Sequence, residues 1–378
     1  MKKEIDNPKI AFLLGSLNRG GTETLLLDIA KNAKVNALNA IIFYRKTGAL
    51  ENEFIDSGIA IRKIENKKNI FGYIKLLRKS FVENKIEIAH AQQILDALYA
   101  WLASIFIPTK VVLSMHGYDF GGGAKSKILH HIALRVGVAN FYVSEHQKAY
   151  YTKKYKLDTN KQKVVYNGID FKKLSNRNTS NNIRTELSIS QDNLLMGMVG
   201  NFVKVRDPLT VCKALVLLKN QGIAFQFVFV GKASDLYPNI YEDCKNIILE
   251  NDLSHQVHFL GSRNDVPSIL QQLDAFVYST DHDTFGIAVV EAMAAGIPVI
   301  VNNWPVMKEI SQNGKYASIY ETKNENDLLR EILQFIDNRI AYKQKAAEAA
   351  KYAKSTFSIE KHIENLNALY AKINASKK

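Results

Sequence analysis

Cysteine is nearly absent: the 378 residues contain two, Cys212 and Cys244. They form no disulfide framework and lack metal-ligand spacing, which fits a reducing, cytoplasmic setting. Long apolar runs are missing as well. The longest, residues 97–107, stops at Pro108, well short of the roughly 20 residues needed to cross a bilayer. The opening MKKEIDNPKIAFLLG has its lysines interrupted by Glu4 and Asp6, so it reads as a first strand rather than a signal peptide. The turn at 15–22, GSLNRGGT, nearly spells a phosphate-binding P-loop, but Gly21 stands where the lysine must be, which removes the triphosphatase reading. No D-x-D triplet is present to hold a metal; the nearest approach is Asp281-His282-Asp283. A nucleic-acid reader would need interleaved aromatics or a recognisable reader motif, and neither occurs.

What is present is unevenly distributed. Residues 1–175 carry 28 Lys and Arg against 15 Asp and Glu, whereas residues 176–378 carry 22 of each, so the formal charge of +13 lies in the first half. A one-sided basic surface attracts phosphate-rich partners. Its two concentrations are Arg62, Lys63, Lys67, Lys68, Lys75, Arg78 and Lys79, and Lys148, Lys153, Lys154, Lys156, Lys161 and Lys163. An anionic membrane surface is the partner these suggest.

Strand-like runs alternate with helical ones, the pattern of parallel sheets covered by helices on both faces. Strands are expected at 10–14, 40–44, 86–91, 110–115, 140–143 and 164–166, with helices at 24–33, 70–82, 95–105, 127–136 and 146–154. A polar stretch after Asn167-Gly168-Ile169-Asp170 reads as a linker. A second series follows, with strands at 194–199, 225–230, 257–260, 275–278, 299–301 and 318–320. The last forty residues form an amphipathic helical segment.

The most informative stretch is 281–301, DHDTFGIAVVEAMAAGIPVIV. A glycine opens a helix whose N-terminal N–H groups and partial positive charge suit an anion. Ile287 and Glu291 are four apart and share a face, so the carboxylate lies one turn below that site. Residues 200–208, GNFVKVRDP, repeat the plan of apolar strand, glycine, polar turn and helix, with Pro208 in the first turn. Met115-His116-Gly117-Tyr118-Asp119 ends a strand, where open α/β sheets place ligands. His90 ends the neighbouring strand and is the weaker candidate.

The acid-x7-acid frame from Asp283 to Glu291, running into AMAAGIP, resembles the signature of glycosyltransferase family 4. These are retaining, nucleotide-sugar-dependent enzymes of the GT-B group. The resemblance implies an α/β protein of two Rossmann-like, doubly wound domains facing across a cleft. An acceptor-side domain is expected at 1–175, a donor-binding domain at 176–355, and a terminal helix at 356–378 packing back on the first. It implies that Glu291 holds the ribose hydroxyls, that Phe285, Gly286 and Ile287 lie along the donor sugar and diphosphate, and that Asp283 orients the donor. The first acid is usually glutamate, so Asp283 is one methylene shorter. The family's diphosphate-gripping arginine is replaced by Asn201 and its lysine by Arg206, with Lys204 a candidate second cation. The backbone around Arg263 would meet the base, His116 the donor sugar, and Gly20 and Gly21 the donor phosphates or the acceptor.

The function implied is transfer of a sugar from a nucleoside diphosphate donor, UDP being expected, to a hydroxyl of a glycan or lipid-linked acceptor during polysaccharide assembly. Neither metal nor other cofactor is called for. Arg206, Lys204 and the helix N-terminus at Gly286 would stabilise the departing diphosphate. Two alternatives stay open at this point: a nucleotide-sugar epimerase on the same plan, and a non-catalytic binding module using the basic half.

Overall fold

A computed structural model describes residues 7–65, 69–120, 122–175 and 182–376; Lys67 and Lys68 of the first basic cluster lie outside them. The chain divides into two compact units, residues 1–169 with 357–378, and residues 170–356.

The first unit begins β1 (Ile10–Ser16), α1 (Gly21–Ala33), β2 (Ala40–Lys46), α2 (Glu51–Asp56), β3 (Ala60–Lys63) and α3 (Ile70–Glu83). It continues β4 (Ile88–Ala91), α4 (Ile94–Ser104), β5 (Lys110–Met115), α5 (Ala124–Val136), β6 (Ala139–Tyr142), α6 (Glu145–Tyr155) and β7 (Gln162–Val164). The seven strands are all parallel, in the order β3-β2-β1-β4-β5-β6-β7. Successive residues of β1 point to opposite faces. Ile10, Phe12 and Leu14 pack into one core, under α1 and α2. Ala11 and Leu13 pack into the other, under α3, α4 and α5. β3 was not expected: Ala-Ile-Arg-Lys is an edge strand, paired only with β2 and with no buried residue, so it lacks an apolar signature.

The second unit contains α7 (Lys172–Ser175), α8 (Ile183–Glu186), β8 (Leu194–Val199), α9 (Pro208–Asn220), β9 (Phe225–Val230), α10 (Pro238–Glu250), β10 (Val257–Phe259) and α11 (Val266–Leu270). Then come β11 (Ala275–Tyr278), α12 (Ile287–Ala295), β12 (Val299–Asn302), α13 (Pro305–Ile310), β13 (Ser318–Tyr320), α14 (Glu325–Asp337) and α15 (Arg339–Phe357). Its six strands are parallel, in the order β10-β9-β8-β11-β12-β13.

The last helix, α16 (Ile359–Ala375), returns to the first unit, where Ile359, Ile363, Leu366 and Tyr370 join the core beneath α1. Its entry is fixed by the linker glycine. Ile169 N–H donates to the Phe357 carbonyl at 2.9 Å, and Ile359 N–H donates to the Ile169 carbonyl at 3.0 Å. A Cβ on Gly168 would stand 2.9 Å from the Ile359 Cα. Only glycine lets these two segments meet so closely.

Candidate functional site

In each sheet the strand order reverses once, between β1 and β4 in the first unit and between β8 and β11 in the second. Ligands of open α/β sheets bind beyond the carboxyl ends of the strands at such a point. In the second unit the loops flanking it are residues 200–207 and 279–286, which carry Asn201, Lys204, Arg206, Asp283, Phe285 and Gly286.

The 200–207 loop is tightly wound. Arg206 N–H donates to the Val203 carbonyl at 2.8 Å, and Arg206 forms an antiparallel bridge with Thr280. Asp207 caps α9, accepting from Thr210 N–H at 3.3 Å, while its second oxygen accepts from Ser279 Oγ at 3.1 Å. The two loops are thus tied together, and Arg206 is carried inward. Its Nη1 lies 3.2 Å from Asp283 Oδ2, and its guanidinium sits 5.2 Å from the Tyr278 ring centre. Tyr278 Oη donates to the same Asp283 oxygen at 2.7 Å. Asp283 Oδ1 accepts from Thr284 N–H at 3.0 Å, and Trp304 Nε1 donates to the Asp283 carbonyl at 2.9 Å. Burial works against the Arg206 charge, yet Tyr278 and Asp283 outweigh it and raise its pKa. Burial, foremost, also pushes the Tyr278 hydroxyl well above its usual range, so it stays a donor.

Arg206 and Asp283, expected to hold different ends of a donor, are therefore engaged with each other. The Arg206 Nε is buried without a hydrogen-bond partner, so the guanidinium keeps unused capacity for an oxyanion. Asn201 is exposed, with its side-chain oxygen accepting from Lys232 N–H at 3.1 Å. Lys204 is exposed and has no ion-pair partner among the described residues.

The helix after the second loop is specified by its first residue. Gly286 adopts φ 86°, and a Cβ there would lie 2.8 Å from Met307 Cε. A side chain is refused both by backbone strain and by space. Ile287 is 40% exposed and Glu291 half-buried on the same face of α12, while Val289, Val290 and Met293 are buried.

Two side chains are committed elsewhere. Phe285, expected along the donor, is 1% exposed; its ring belongs to the core and only its backbone can face a ligand. Arg263 offers no free guanidinium: it bonds Glu186 at 2.8 and 2.9 Å and Asp265 at 2.8 Å through two nitrogens. Tyr278, Thr280 and Trp304 were missed, although Tyr278 ends a strand beside the reversal, a position that could have marked it.

In the first unit, His116 ends β5 with Nε2 2.8 Å from Gln92 Oε1. That contact makes Nε2 the protonated nitrogen. Burial, helped by the neighbouring His362, lowers the His116 pKa to about 4. His90 is structural: its ring nitrogens meet Tyr370 Oη of α16 at 2.5 Å and Ser114 Oγ at 2.7 Å. The three histidines, with Gln92 and Asn167, line a cavity of about 20 Å³, room for one water. Gly20 precedes α1 in extended conformation, and a Cβ on Gly21 would meet nothing within 4 Å. The glycine at position 21 is therefore not required by packing.

Comparison with known proteins agrees with this layout. The family model described as "Glycosyl transferases group 1" matches residues 179–356, and "Glycosyltransferase Family 4" matches residues 19–173. The O-antigen biosynthesis glycosyltransferase WclY of Escherichia coli is 24% identical over 350 residues, covering 89% of this chain and 91% of the relative. An Escherichia coli UDP-Gal:alpha-D-GlcNAc-diphosphoundecaprenol alpha-1,3-galactosyltransferase is 24% identical, covering 82% and 80%. Among solved structures, Anabaena HepE in complex with UDP and glucose superposes with a TM-score of 0.82 at 19% identity, covering 97% of this chain and all of that one. A glycosyltransferase from Rickettsia africae reaches 0.85 at 19% identity, with 98% and 100% covered. Two parallel-sheet Rossmann-like units with such neighbours are the GT-B fold, and the enzyme reading displaces both the epimerase and the binding-module alternatives. With the two family models matching in tandem along nearly all of its length, the chain belongs to the group 1, family 4 glycosyltransferases.

Proposed function

We propose that the protein transfers a sugar, with retention, from a UDP-sugar to a hydroxyl of a glycan or lipid-linked acceptor in surface-polysaccharide assembly. The observation that carries this reading is the Arg206–Asp283–Tyr278 cluster at the strand-order reversal, beside the glycine-opened N-terminus of α12. The diphosphate replaces Asp283 as the partner of Arg206, and the freed Asp283 carboxylate turns to the donor sugar. The α12 N-terminus and Lys204 add positive potential where the leaving group gathers charge. Glu291, one turn down the exposed face of α12, accepts from the ribose hydroxyls. Backbone around Arg263 meets the base, Asn201 borders the phosphates, and His116, Gly20 and Gly21 serve the sugar or acceptor at their own sheet edge. No metal takes part in this scheme.

UDP is favoured because the relatives and neighbours whose names specify a nucleotide name UDP. The lipid-linked acceptor rests on the diphosphoundecaprenol named for one relative. The reading carries a cytoplasmic location with the chain resting on an anionic membrane surface. Among the described residues no helix is long and apolar enough to cross a membrane.

Thermal unfolding with UDP, GDP, ADP and CMP tests the donor assignment, because a ligand bound only by the folded state must stabilise it. UDP is expected to give the largest shift, most of it lost in Glu291→Ala. A flat response to all four nucleotides overturns the reading.

A further inference from the structure

Helices α3, α4 and α5 form one layer on the first unit's sheet, and the outward side of that layer is unusually apolar. Of the twenty large apolar side chains exposed among the described residues, thirteen lie within residues 70–138. Phe71 is 80% exposed, Ile128 59% and Phe106 97%. Leu95 and Leu102, two turns apart, share one side of α4, and Ile105 and Phe106 follow just past its end, so the exposure is a stripe and not a scatter. Phe106 is held out by the backbone, at φ 63°, a conformation unfavourable for an aromatic residue. Arg78, through its guanidinium, bonds the carbonyls of Ala103 and Ile105 and so fixes this helix end. Exposed apolar surface of this extent on a water-soluble fold marks a docking face.

The charges on the same helices identify the occupant. The cations are Lys75, Arg78, Lys79, Lys125, Lys127 and Arg135, and the acids are Glu83 and the buried Asp96. Lys75, Lys125 and Lys127 have no ion-pair partner among the described residues. The second basic cluster is more committed: Lys154 pairs with Asp119 at 2.8 Å and Lys148 pairs with Glu145. A second copy of the chain meeting this face about a two-fold axis would bring like charges together. An anionic lipid surface instead accepts apolar side chains among its acyl chains and lysines among its phosphates.

We propose that the outer face of the α3–α5 layer is the surface by which this protein docks on an anionic bilayer, with Phe71 and Phe106 inserting and Lys75, Lys125 and Lys127 meeting headgroups. This deepens the membrane part of the functional reading by giving it an address, and it does not depend on the donor assignment.

Flotation of the full chain with vesicles of phosphatidylcholine alone, or with a third phosphatidylglycerol, tests the proposal. The wild type is expected to float with the anionic vesicles and to lose binding as salt rises. The pair Phe71→Ser and Phe106→Ser should weaken binding at least about tenfold at every salt concentration. The triple Lys75→Glu, Lys125→Glu and Lys127→Glu should remove the preference for anionic lipid. Leu236→Ser, which changes an exposed apolar residue of the second unit, should float as the wild type does. Each variant concerns exposed side chains, so unchanged melting temperatures certify folding. Wild-type binding that ignores the α3–α5 variants overturns the surface while leaving membrane association standing. No wild-type binding at low salt overturns both. Apolar variants that change only the oligomeric state overturn the proposal in favour of a protein interface.

Discussion

At the sheet edge of the second unit, charge is held in pairs: Arg206 with Asp283, and Arg263 with Asp265 and Glu186. At the corresponding edge of the first unit stand His90 and His116, with His362 of α16 beside them, kept neutral by burial. The wiring is shared, since both sheets are parallel and reverse their order once. The difference teaches that this topology fixes where a ligand goes and leaves its electrostatics to the loops. An exchangeable ion pair suits a dianionic guest that can take over one partner. A neutral imidazole such as His116 suits hydroxyl groups and resists charge.

The sharpest way to break the contrast is Arg206→Ala. It removes the cation from the second unit and leaves Asp283 and the Tyr278 hydroxyl without their positive partner. Transfer from a UDP-sugar should fall by about 10²–10³ in turnover, with Arg206→Lys recovering part of it, as a sugar-transfer assay would measure. An unaltered rate in Arg206→Ala would mean that phosphate stabilisation lies elsewhere.

Glycines give the next largest effect. A Cβ on Gly231 would lie 2.1 Å from the Gly200 carbonyl oxygen, across the ends of β9 and β8, whereas one on Gly21 meets nothing. Gly231→Ala should cost several kcal/mol, roughly the range of severe core defects. Gly21→Ala should stay within about 1 kcal/mol. Denaturant unfolding of both variants checks the pair, and equal losses would erase this distinction between the two turns.

Acid should then separate the units by a smaller margin. The His116 and His362 pKa values are lowered to about 4 by burial, below an ordinary value near 6.5. Above pH 6.5 both states are neutral and full stability is present. Between pH 6.5 and about 4 the unfolded chain takes up protons that the folded one refuses, so stability is lost as pH falls. The upper limit is about 3 kcal/mol for each histidine, with His116 below that because its edge reaches the surface. Hydrogen exchange followed from pH 7 to 5 should show the first unit loosening before the second.

Much of this architecture can be read from the sequence. Strands such as Leu194–Val199 and Phe225–Val230 are apolar almost throughout, Gln226 being the one polar residue, because parallel strands are covered on both faces. The edge strand β3 escaped because nothing covers it. At the site, glycines and acids at strand ends were visible as local patterns, which is why Asp283, Glu291 and Arg206 could be named. Their partners were not visible. The Arg206–Asp283 contact depends on how closely two loops approach, and Arg263 is neutralised by Glu186, 77 residues away. The direction of the Phe285 ring was not visible for a related reason: a ring beside a glycine faces either ligand or core, and spacing along the chain does not distinguish them.

The return of α16 has a consequence for biosynthesis. A chain emerging from the ribosome produces nearly all of the first unit early, yet Ile359, Ile363, Leu366 and Tyr370 complete that unit's core and are made only after the second unit. The second unit, continuous in sequence, can mature as soon as it emerges, reversing the usual N-terminal-first order. The older half must wait, with apolar surface uncovered, for α16 to be released.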